Sequence, residues 1–446
     1  MPIYSNFALF LVMKMDISEL YKIFAEHPVV TTDSRNCPDG SILCALKGAS
    51  FNGNRFAAKA LEAGCSYAVV DEPDCAACGD SRYIVVDDCL TALQQLARHH
   101  RRELGTTIVG ITGTNGKTTT KELLAAVLGR RFNVLYTEGN FNNDIGVPKT
   151  LLRLTAEHEM AVVEMGASHP GDIKTLVNIV EPDCGLITNV GRAHLQGFGS
   201  FEGVVRTKGE LYDWLRASGG TVFINGGDSH LTGIAQGLKL VKYGLSGTEG
   251  ASVEGEVTVC DPYLNFRWRE AGGAWRNVKT HIIGSYNVMN MLAAACVGLH
   301  FGITADEIDS ALSSYIPKNN RSELEVTEHN KLIIDAYNAN PTSMAAALVN
   351  FRDMKADRKM AILGDMGELG AVSGEEHQRV ADFLINAGFD EVWLVGEEFG
   401  KTTCPFRKFK DTEDVKQAIT ECRPEGFCIL IKGSNSMKLF QLPPLL

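Results

Sequence analysis

The sequence predicts an α/β protein of three domains, in which parallel β-sheets are connected by crossover helices. Three observations predict this class. The chain has 446 residues, which is more than one hydrophobic core normally organises. Short β-branched runs alternate with helical patterns through most of the chain. Several apolar runs, among them "KLIIDAYN" and "FCILIKGSN", end in polar or glycine residues, as strands do where an open α/β sheet binds its ligands.

The composition is that of a soluble globular protein, because 45% of the residues are apolar and 22% are charged. The net charge of −11 argues against a nucleic-acid-binding protein, which needs a basic face. No apolar run reaches the ~18–20 residues of a membrane span, so we expect no membrane insertion. The twelve cysteines indicate a reducing compartment, and we therefore expect a cytoplasmic protein.

Two features of the first domain have simple interpretations. The close pair Cys75 and Cys78 lacks a second pair at matching spacing, so it predicts a surface loop with two thiols instead of a zinc site. The apolar segment Asn6–Met13 has neither a basic region before it nor a cleavage site after it, so it is not interpreted as a signal peptide. We expect residues 1–14 to be an extension that precedes a natural start near Met13 or Met15.

The expected domains cover residues 1–100, 101–315 and 316–446. The first contains the runs "SYAVVDEP" and "RYIVVDD", and the second begins near "TTIVGITG". The third contains "KMAILGDMG" and "EVWLVGEE" besides the two runs quoted above, and we expect it to be a second ligand-binding domain. The stretch Val253–Trp275 alternates as antiparallel strands do, and it receives no role.

The stretch "GITGTNGKTTT", residues 110–120, predicts a phosphate-binding loop. The β-branched run Thr106–Thr112 precedes it and helical spacing follows it. Glycines let backbone N–H groups approach phosphate oxygens, and a helix N-terminus adds partial positive charge. Lys117 can then reach the terminal phosphates, and the Thr118 hydroxyl can ligate Mg²⁺. A plain glycine turn is the alternative. The absence of an Asn-Lys-x-Asp motif argues against a GTPase, whereas a small-metabolite kinase stays open.

Three further residues are candidates for the chemistry. Glu164 ends a buried strand, where it either holds Mg²⁺ or is an exposed strand-end glutamate. His194 follows another strand, and by residue type alone it is interpreted as structural because Mg²⁺ prefers oxygen. Lys208 falls on an apolar helical stripe with Val204 and Leu211. It either extends its ammonium to solvent or has a lowered pKa and a special task.

The motifs resemble those of the Mur ligases of bacterial cell-wall synthesis. The central motifs are "TGTNGKTT", "EMGA", "ITNVGRAHL" and "TKGELY". The later "NRSELE", "IIDAYNANPTSM", "ILGDMGELG" and "IKGSNSM" and the early "TDSR" and "ALKG" extend the resemblance to nearly the whole chain after about residue 15. Within the family, "GNFNNDIGVP" and "AYNANPTSM" are similar to the segments of the member that adds D-alanyl-D-alanine to UDP-N-acetylmuramoyl-tripeptide. Its fold implies a uridine-nucleotide domain, a central ATPase domain and a Rossmann-like C-terminal domain.

The resemblance implies a role for each candidate residue. The ATP phosphates would be held by Gly113, Thr114, Asn115, Gly116, Lys117, Thr118 and Thr119. Thr118 and Glu164 would ligate one Mg²⁺, and His194 would ligate a second. Lys208 matches the lysine that the family carbamylates, which turns an amine into an oxygen ligand for Mg²⁺. The four catalytic residues would be Lys117, Glu164, His194 and Lys208.

The resemblance also implies binding residues outside the phosphate loop. Further nucleotide contacts would come from Asn287, Arg321 and Asp335. The dipeptide would face Asn338, Asn340 and Ser343, and the uridine end of the other substrate would face Ser34 and Arg35. The sequence departs from the family pattern at Asn52, Asn54, Tyr286 and Asn435.

The implied reaction is ATP-dependent amide formation through an acyl phosphate, performed by a monomer. Two rival interpretations stay open. A folylpolyglutamate synthase is a ligase on the same plan, but it should lack the "TDSR" domain. A P-loop kinase gives no account of Lys208 or of the third domain. A non-catalytic nucleotide-dependent scaffold is a weaker alternative, since the phosphate and metal residues are all present.

Overall fold

The computed structural model of the chain describes residues 15–75, 80–317, 321 and 323–446. The predicted extension, residues 1–14, and Cys78 lie outside the described residues. None of the helices in these described ranges combines the length and the apolar character that a membrane span requires.

The first sheet has four parallel strands in the order β1-β2-β5-β6. Asp16 and Asp88 accept hydrogen bonds from backbone N–H groups and so begin the first and third helices. Gly105, at φ 65°, ends the third helix. The elements are α1 (Ile17–Glu26), β1 (Val30–Thr31), β2 (Ile42–Cys44), β3 (Lys47–Gly48), β4 (Phe51–Asn52), α2 (Ala57–Glu62), β5 (Tyr67–Val70), β6 (Tyr83–Val85) and α3 (Cys89–Leu104).

The second sheet has nine strands in the order β15-β14-β13-β12-β11-β10-β7-β9-β8. From β8 to β13 every neighbouring pair is parallel. Its elements are β7 (Thr107–Thr112), α4 (Lys117–Leu128), β8 (Val134–Tyr136), α5 (Gly146–Leu151), β9 (Met160–Glu164), α6 (Asp172–Val180), β10 (Cys184–Ile187), α7 (Leu195–Phe198), α8 (Phe201–Ser218), β11 (Thr221–Asn225), α9 (Ser229–Gly233), β12 (Lys239–Leu245), β13 (Val253–Cys260), β14 (Tyr263–Glu270), β15 (Arg276–Ile283), α10 (Val288–His300) and α11 (Ala305–Ser314).

The stretch for which antiparallel strands were predicted forms β13 and β14, and the meander continues into β15. Leu264, Phe266 and Trp268 alternate along β14 and are fully buried in the core that α4 and α10 share. The prediction of antiparallel strands is therefore confirmed, and the meander contributes one face to the central core.

The third sheet has six strands in the order β16-β17-β21-β18-β19-β20, and only the β16–β17 pair is antiparallel. Apolar side chains cover both of its faces, because helices pack on both sides. The elements are β16 (Glu323–Val326), β17 (Lys331–Asp335), α12 (Pro341–Asp353), β18 (Lys359–Gly364), α13 (Ser373–Ile385), β19 (Glu391–Val395), α14 (Glu397–Gly400), β20 (Arg407–Phe409), α15 (Thr412–Glu421) and β21 (Cys428–Lys432).

The chain divides into two compact units. Of the described residues, the first unit holds those up to 106 together with 140–159 and 178–181, and the second holds 107–139, 160–177 and those from 182 onward. The predicted α/β class with three predominantly parallel sheets is confirmed. The domain limits stay a prediction, and the limit placed after residue 100 falls inside α3.

Candidate active site

The predicted phosphate loop lies between β7 and α4, as the sequence predicted. Gly113 and Gly116 have φ angles of 142° and 78°, which side-chain-bearing residues rarely adopt. A Cβ on Gly113 would collide with Thr188, and one on Gly116 would lie 2.7 Å from Oδ1 of Asn290. Both glycines are therefore required by conformation and by space.

The loop after β10 fixes the phosphate loop from one side. The Asn189 side chain accepts a hydrogen bond from the Asn115 N–H at 3.0 Å and donates one to the Asn115 carbonyl at 3.0 Å. The Thr188 hydroxyl donates to that carbonyl at 2.6 Å. The Thr114 hydroxyl accepts a hydrogen bond from the Gly191 N–H at 3.0 Å. The predicted loop residues thus have a fixed backbone.

Lys117 is the first residue of α4, and its ammonium donates to the Gly113 carbonyl at 2.8 Å and to the Thr114 carbonyl at 3.2 Å. Burial lowers the pKa of Lys117, while the nearby charge of Glu164 raises it. Two neutral carbonyls do not offset a positive charge, so the site favours an anion beside this ammonium.

Glu164 ends β9 and is 1% exposed, which excludes the exposed strand-end alternative. Its Oε2 accepts a hydrogen bond from the Thr118 hydroxyl at 2.9 Å. The two predicted ligands of the first Mg²⁺ are therefore adjacent and supply hard oxygen donors. No cluster of three His, Cys, Asp or Glu side chains suited to a metal occurs among the described residues. A Mg²⁺ ion here would have to complete its shell with water and phosphate oxygens, which is its usual habit.

Lys208 lies on α8 and is 2% exposed, so its ammonium does not extend to solvent. Burial lowers its pKa well below the ordinary value, and the charge of Lys117 lowers it further. The ammonium lies 5.4 Å from the centre of the Phe198 ring. Within the described part of the chain it has no hydrogen bond or ion pair. This environment favours the neutral amine.

His194 has a left-handed backbone conformation, with φ 51°, at the start of α7. Its Nδ1 contacts the carboxylate of Glu368, which is also left-handed at φ 61°. The charges of Lys117 and Lys208 act on the imidazole. His194 therefore lies close enough to Lys117 and Lys208 to feel both charges. Glu368, which contacts it, lies in the loop that follows β18 in the third sheet.

Asn287 is buried just before α10 and donates to the Ile283 carbonyl at 2.8 Å. Its side-chain oxygen accepts a hydrogen bond from Asn290 at 2.8 Å, and Asn290 in turn accepts one from the Thr120 hydroxyl at 3.1 Å. The predicted nucleotide contact Asn287 is thus linked to the phosphate-loop helix through Asn290.

Asp335 ends β17, directly opposite Lys432 at the end of the parallel strand β21. The buried Lys432 ammonium donates to Oδ2 of Asp335 at 2.6 Å and to the Asn338 carbonyl at 3.2 Å. The Arg321 guanidinium lies 3.9 Å from the centre of the Tyr337 ring. The predicted residues Arg321, Asp335 and Asn338 therefore surround one strand end.

Asn340 and Ser343 form a capping box that begins α12. The Asn340 amide also donates to Oδ1 of Asn115 in the phosphate loop at 2.8 Å. The N-terminus of α12 is therefore joined directly to the phosphate loop.

Ser34 and Arg35 lie in the other unit, in the turn after β1. The Arg35 guanidinium makes two hydrogen bonds of 2.9 Å with Asp33, which lowers the pKa of Asp33 to about 2. In the same unit Asn54 makes paired hydrogen bonds with Asp71, at 2.8 and 3.0 Å. The departure from the family pattern at Asn54 therefore has a structural use.

Family models match three consecutive parts of the chain. The model "Mur ligase family, catalytic domain" matches residues 28–101, "Mur ligase middle domain" matches residues 111–298, and "Mur ligase, glutamate ligase domain" matches residues 320–435. The UDP-N-acetylmuramoyl-tripeptide–D-alanyl-D-alanine ligase of Bacillus subtilis (strain 168) is 36% identical over 426 residues, 93% of this chain and 92% of the relative. The chain belongs to the Mur ligase family.

Solved structures of Mur ligases have the same fold. MurF from Acinetobacter baumannii aligns with a TM-score of 0.83 at 31% identity, over 93% of this chain and 92% of that one. MurF ligase from Thermotoga maritima, in complex with ADP, aligns with a TM-score of 0.83 at 26% identity, over 94% and 96% of the two chains. The α/β fold predicted for this Mur ligase is thereby confirmed.

Sequence reasoning missed several residues that support the candidate site of this Mur ligase, namely Asn189, Asn290, Glu368 and Lys432. Two carried a signal. Lys432 ends the apolar run "CILIK", and Asn290 lies one helical turn after Asn287. Asn189 and Glu368 lie within the quoted motifs "ITNVGRAHL" and "ILGDMGELG", but no local pattern indicates their partners, which are distant in sequence.

Proposed function

We propose that this Mur ligase joins D-alanyl-D-alanine to UDP-N-acetylmuramoyl-tripeptide, with conversion of ATP to ADP and phosphate, to make a peptidoglycan precursor. The names of the Bacillus subtilis and Escherichia coli (strain K12) relatives support this reaction. One observation carries it for this chain: a phosphate loop, a hydroxyl–carboxylate pair and a buried lysine without an ion pair among the described residues share one site.

In this proposal the loop from Gly113 to Thr119 binds the ATP phosphates. Backbone N–H groups and the N-terminus of α4 would donate to the phosphate oxygens, and Lys117 would stabilise the charge that develops on the transferred phosphoryl group. Asn287, Arg321 and Asp335 would contact the rest of the nucleotide. The ADP complex of the Thermotoga maritima relative supports nucleotide binding by this fold.

The residues at the site fit Mg²⁺. Thr118 and Glu164 would hold one ion, and His194 with a carbamylated Lys208 would hold the other. Bound Mg²⁺ neutralises phosphate charge and orients the reacting oxygens. The Lys208 amine would react with CO2 to form a carbamate and release one proton. Burial supports this step, because it keeps the amine in the neutral form that reacts.

The tripeptide carboxylate would attack the γ-phosphorus, which releases ADP and leaves an acyl phosphate. The dipeptide amine would then attack the acyl carbon, lose a proton and release phosphate. Ser34 and Arg35 are proposed to bind the uridine end of the first substrate. Asn338, Asn340 and Ser343 are proposed to face the dipeptide.

Phosphate release from ATP tests the proposed reaction. We would supply UDP-N-acetylmuramoyl-tripeptide and D-alanyl-D-alanine together and each alone. Release that requires both, with a product heavier than the tripeptide substrate by the dipeptide less water, is the expected result. Phosphate release without either substrate would contradict the proposed reaction. So would release with only one substrate and no new amide. Transfer of phosphate to a small metabolite would favour the kinase, and addition of glutamate to a folate would favour a folylpolyglutamate synthase.

A further inference from the structure

Behind the phosphate loop, α4 carries a second buried lysine, one helical turn after Lys117. Lys121 is 1% exposed, and its ammonium donates to the Thr137 carbonyl at 2.6 Å. Its nearest carboxylate is that of Glu122, at 3.6 Å. A lysine is costly to bury, and an apolar side chain of similar length would fill the same space without that cost. The charge therefore calls for an explanation beyond packing.

Lys121 belongs to a ring that three hydrogen bonds and the backbone of α4 close. Thr137 follows β8, and its hydroxyl accepts a hydrogen bond from the Glu164 N–H at 3.0 Å. The Glu164 carboxylate accepts one from the Thr118 hydroxyl at 2.9 Å. Thr118 and Lys121 are three residues apart, so α4 presents them on one face and closes the ring. We call these four buried residues the Thr118–Lys121–Thr137–Glu164 ring.

The ring connects three elements that meet at the candidate metal site. Lys121 fixes the chain at the end of β8, Thr137 fixes the backbone of Glu164 at the end of β9, and Glu164 meets Thr118. The Glu164 charge also acts on the Lys121 ammonium, so the two attract. Every bond in the ring therefore limits where the Glu164 carboxylate can lie relative to the Thr118 hydroxyl.

We propose that Lys121 is a positioning residue, which acts through Thr137 to hold the oxygens of Glu164 and Thr118 at the spacing that a nucleotide-bound Mg²⁺ requires. This rests on the proposed function only in assigning Mg²⁺ and nucleotide to this site. Residues that orient metal ligands typically change metal affinity by about 10- to 100-fold when they are replaced.

The test compares ADP dissociation constants in excess EDTA and in excess Mg²⁺, measured by titration calorimetry on the full chain. The ratio is the dissociation constant in EDTA divided by the dissociation constant in Mg²⁺, and it isolates the contribution of the metal to ADP binding. We expect Lys121→Met to lower this ratio about tenfold, with little change in the constant measured in EDTA. Lys121→Arg keeps a donor for the Thr137 carbonyl and should recover part of the ratio.

One further pair of variants and one packing control separate positioning from folding. Thr137→Val removes the hydroxyl that Glu164 uses and should lower the ratio, whereas Thr137→Ser keeps it and should not. Val127→Ala removes packing from the buried side of α4, so it should lower the thermal midpoint without changing the ratio. If Lys121→Met does not fold, the Thr137 pair decides.

An unchanged ratio in both Lys121→Met and Thr137→Val would overturn the proposal. So would an equal loss in Val127→Ala, or a wild-type ratio of one. Because ADP binding does not require ligation, a protein that fails the ligase assay but binds ADP in a Mg²⁺-dependent, ring-dependent way would contradict the proposed reaction and leave the role of Lys121 intact.

Discussion

Lys208 lies on the same face of α8 as Val204, Leu211 and Leu215, as the helical spacing predicts, and all four are buried. The spacing alone left open whether the ammonium reached solvent. Lys208 is only 2% exposed, so its ammonium does not reach solvent. The pKa of Lys208 is lowered by burial and also by the charge of Lys117, which only the folded structure brings near. A pattern along one helix cannot reveal a neighbour on another.

The carbamate proposed for Lys208 can be tested by chemical rescue. Lys208→Ala should reduce kcat by a factor of at least about 100, since it removes an oxygen ligand used in phosphoryl transfer. Added formate or acetate should restore part of the rate in that variant only. Lys239→Ala, at an exposed position, is the control and should behave as wild type with or without the anion. Full activity of Lys208→Ala without rescue would remove the carbamate.

We expect His100 to make the stability of the first unit depend on pH. Its Nε2–H donates to the Leu154 carbonyl at 2.9 Å, and its Nδ1 lies 3.2 Å from the Tyr21 hydroxyl, from which the neutral ring accepts a hydrogen bond. Burial lowers the pKa of His100 below 6.5. The unfolded chain therefore binds the proton more readily, and stability is lost as the pH falls through 6.5 towards the folded pKa.

The measurement is the urea midpoint for proteolytic cleavage within α3 at pH 7.5 and at pH 5.5. Wild type should lose more stability on acidification than His100→Gln, whose amide can replace both hydrogen bonds without titrating. Equal losses in the two proteins would show that His100 is not the group responsible.

At the scale of elements, α12 combines a helix cap with a contact to the phosphate loop, both made by Asn340. Asn340→Ala loses both, and we expect it to lower the free energy of unfolding by about 1 kcal/mol. Asn340→Ser keeps a good capping oxygen but cannot reach Asn115 in the same way, so it should keep stability and weaken ADP binding about fivefold, the value of about one hydrogen bond. Wild-type ADP affinity in Asn340→Ser would contradict the link.

The sequence predicted the long apolar strands of the third sheet because each is buried on both faces, as β17, β18, β19 and β21 are. It did not predict β16 or β20, which lie at the sheet's two edges. Edge strands are short and partly exposed, and they are defined by a pairing partner more than by their own side chains. The strand-end positions of Glu164 and Asp335 followed from the same apolar runs, whereas their partners did not.

At the scale of the whole molecule, residues far apart in sequence meet within the second unit. The Arg192 guanidinium donates to the buried Glu376 carboxylate at 3.2 Å, across a separation of 184 residues, close to the contact between His194 and Glu368. No local pattern predicts such a pair. Arg192 lies in the loop after β10 and Glu376 lies in α13, so only the arrangement of the two sheets reveals that they meet.

The variant Arg192→Ala tests whether the ion pair between Arg192 and Glu376 contributes to the affinity for ADP. Because the Arg192 side chain is 56% exposed, the pair contributes about 1 kcal/mol or less, so we expect ADP affinity to fall less than about fivefold. The difference in ADP affinity between Arg192→Ala and wild type should become smaller at about 0.5 M salt, because salt screens exposed charges. The control variant Arg352→Ala removes the exposed ion pair between Arg352 and Asp353 and should leave the affinity for ADP unchanged. A loss that persists at high salt would point to packing in place of charge.

Hydrogen bonds with Thr188, Asn189 and Gly191 hold the phosphate loop through contacts within the protein itself. Ordering the backbone of a mobile residue costs about 1–2 kcal/mol in entropy, and here folding has already met that cost. Phosphate would then bind to a preorganised loop. Its association rate should be limited by diffusion and dehydration, and not by a conformational change of the loop.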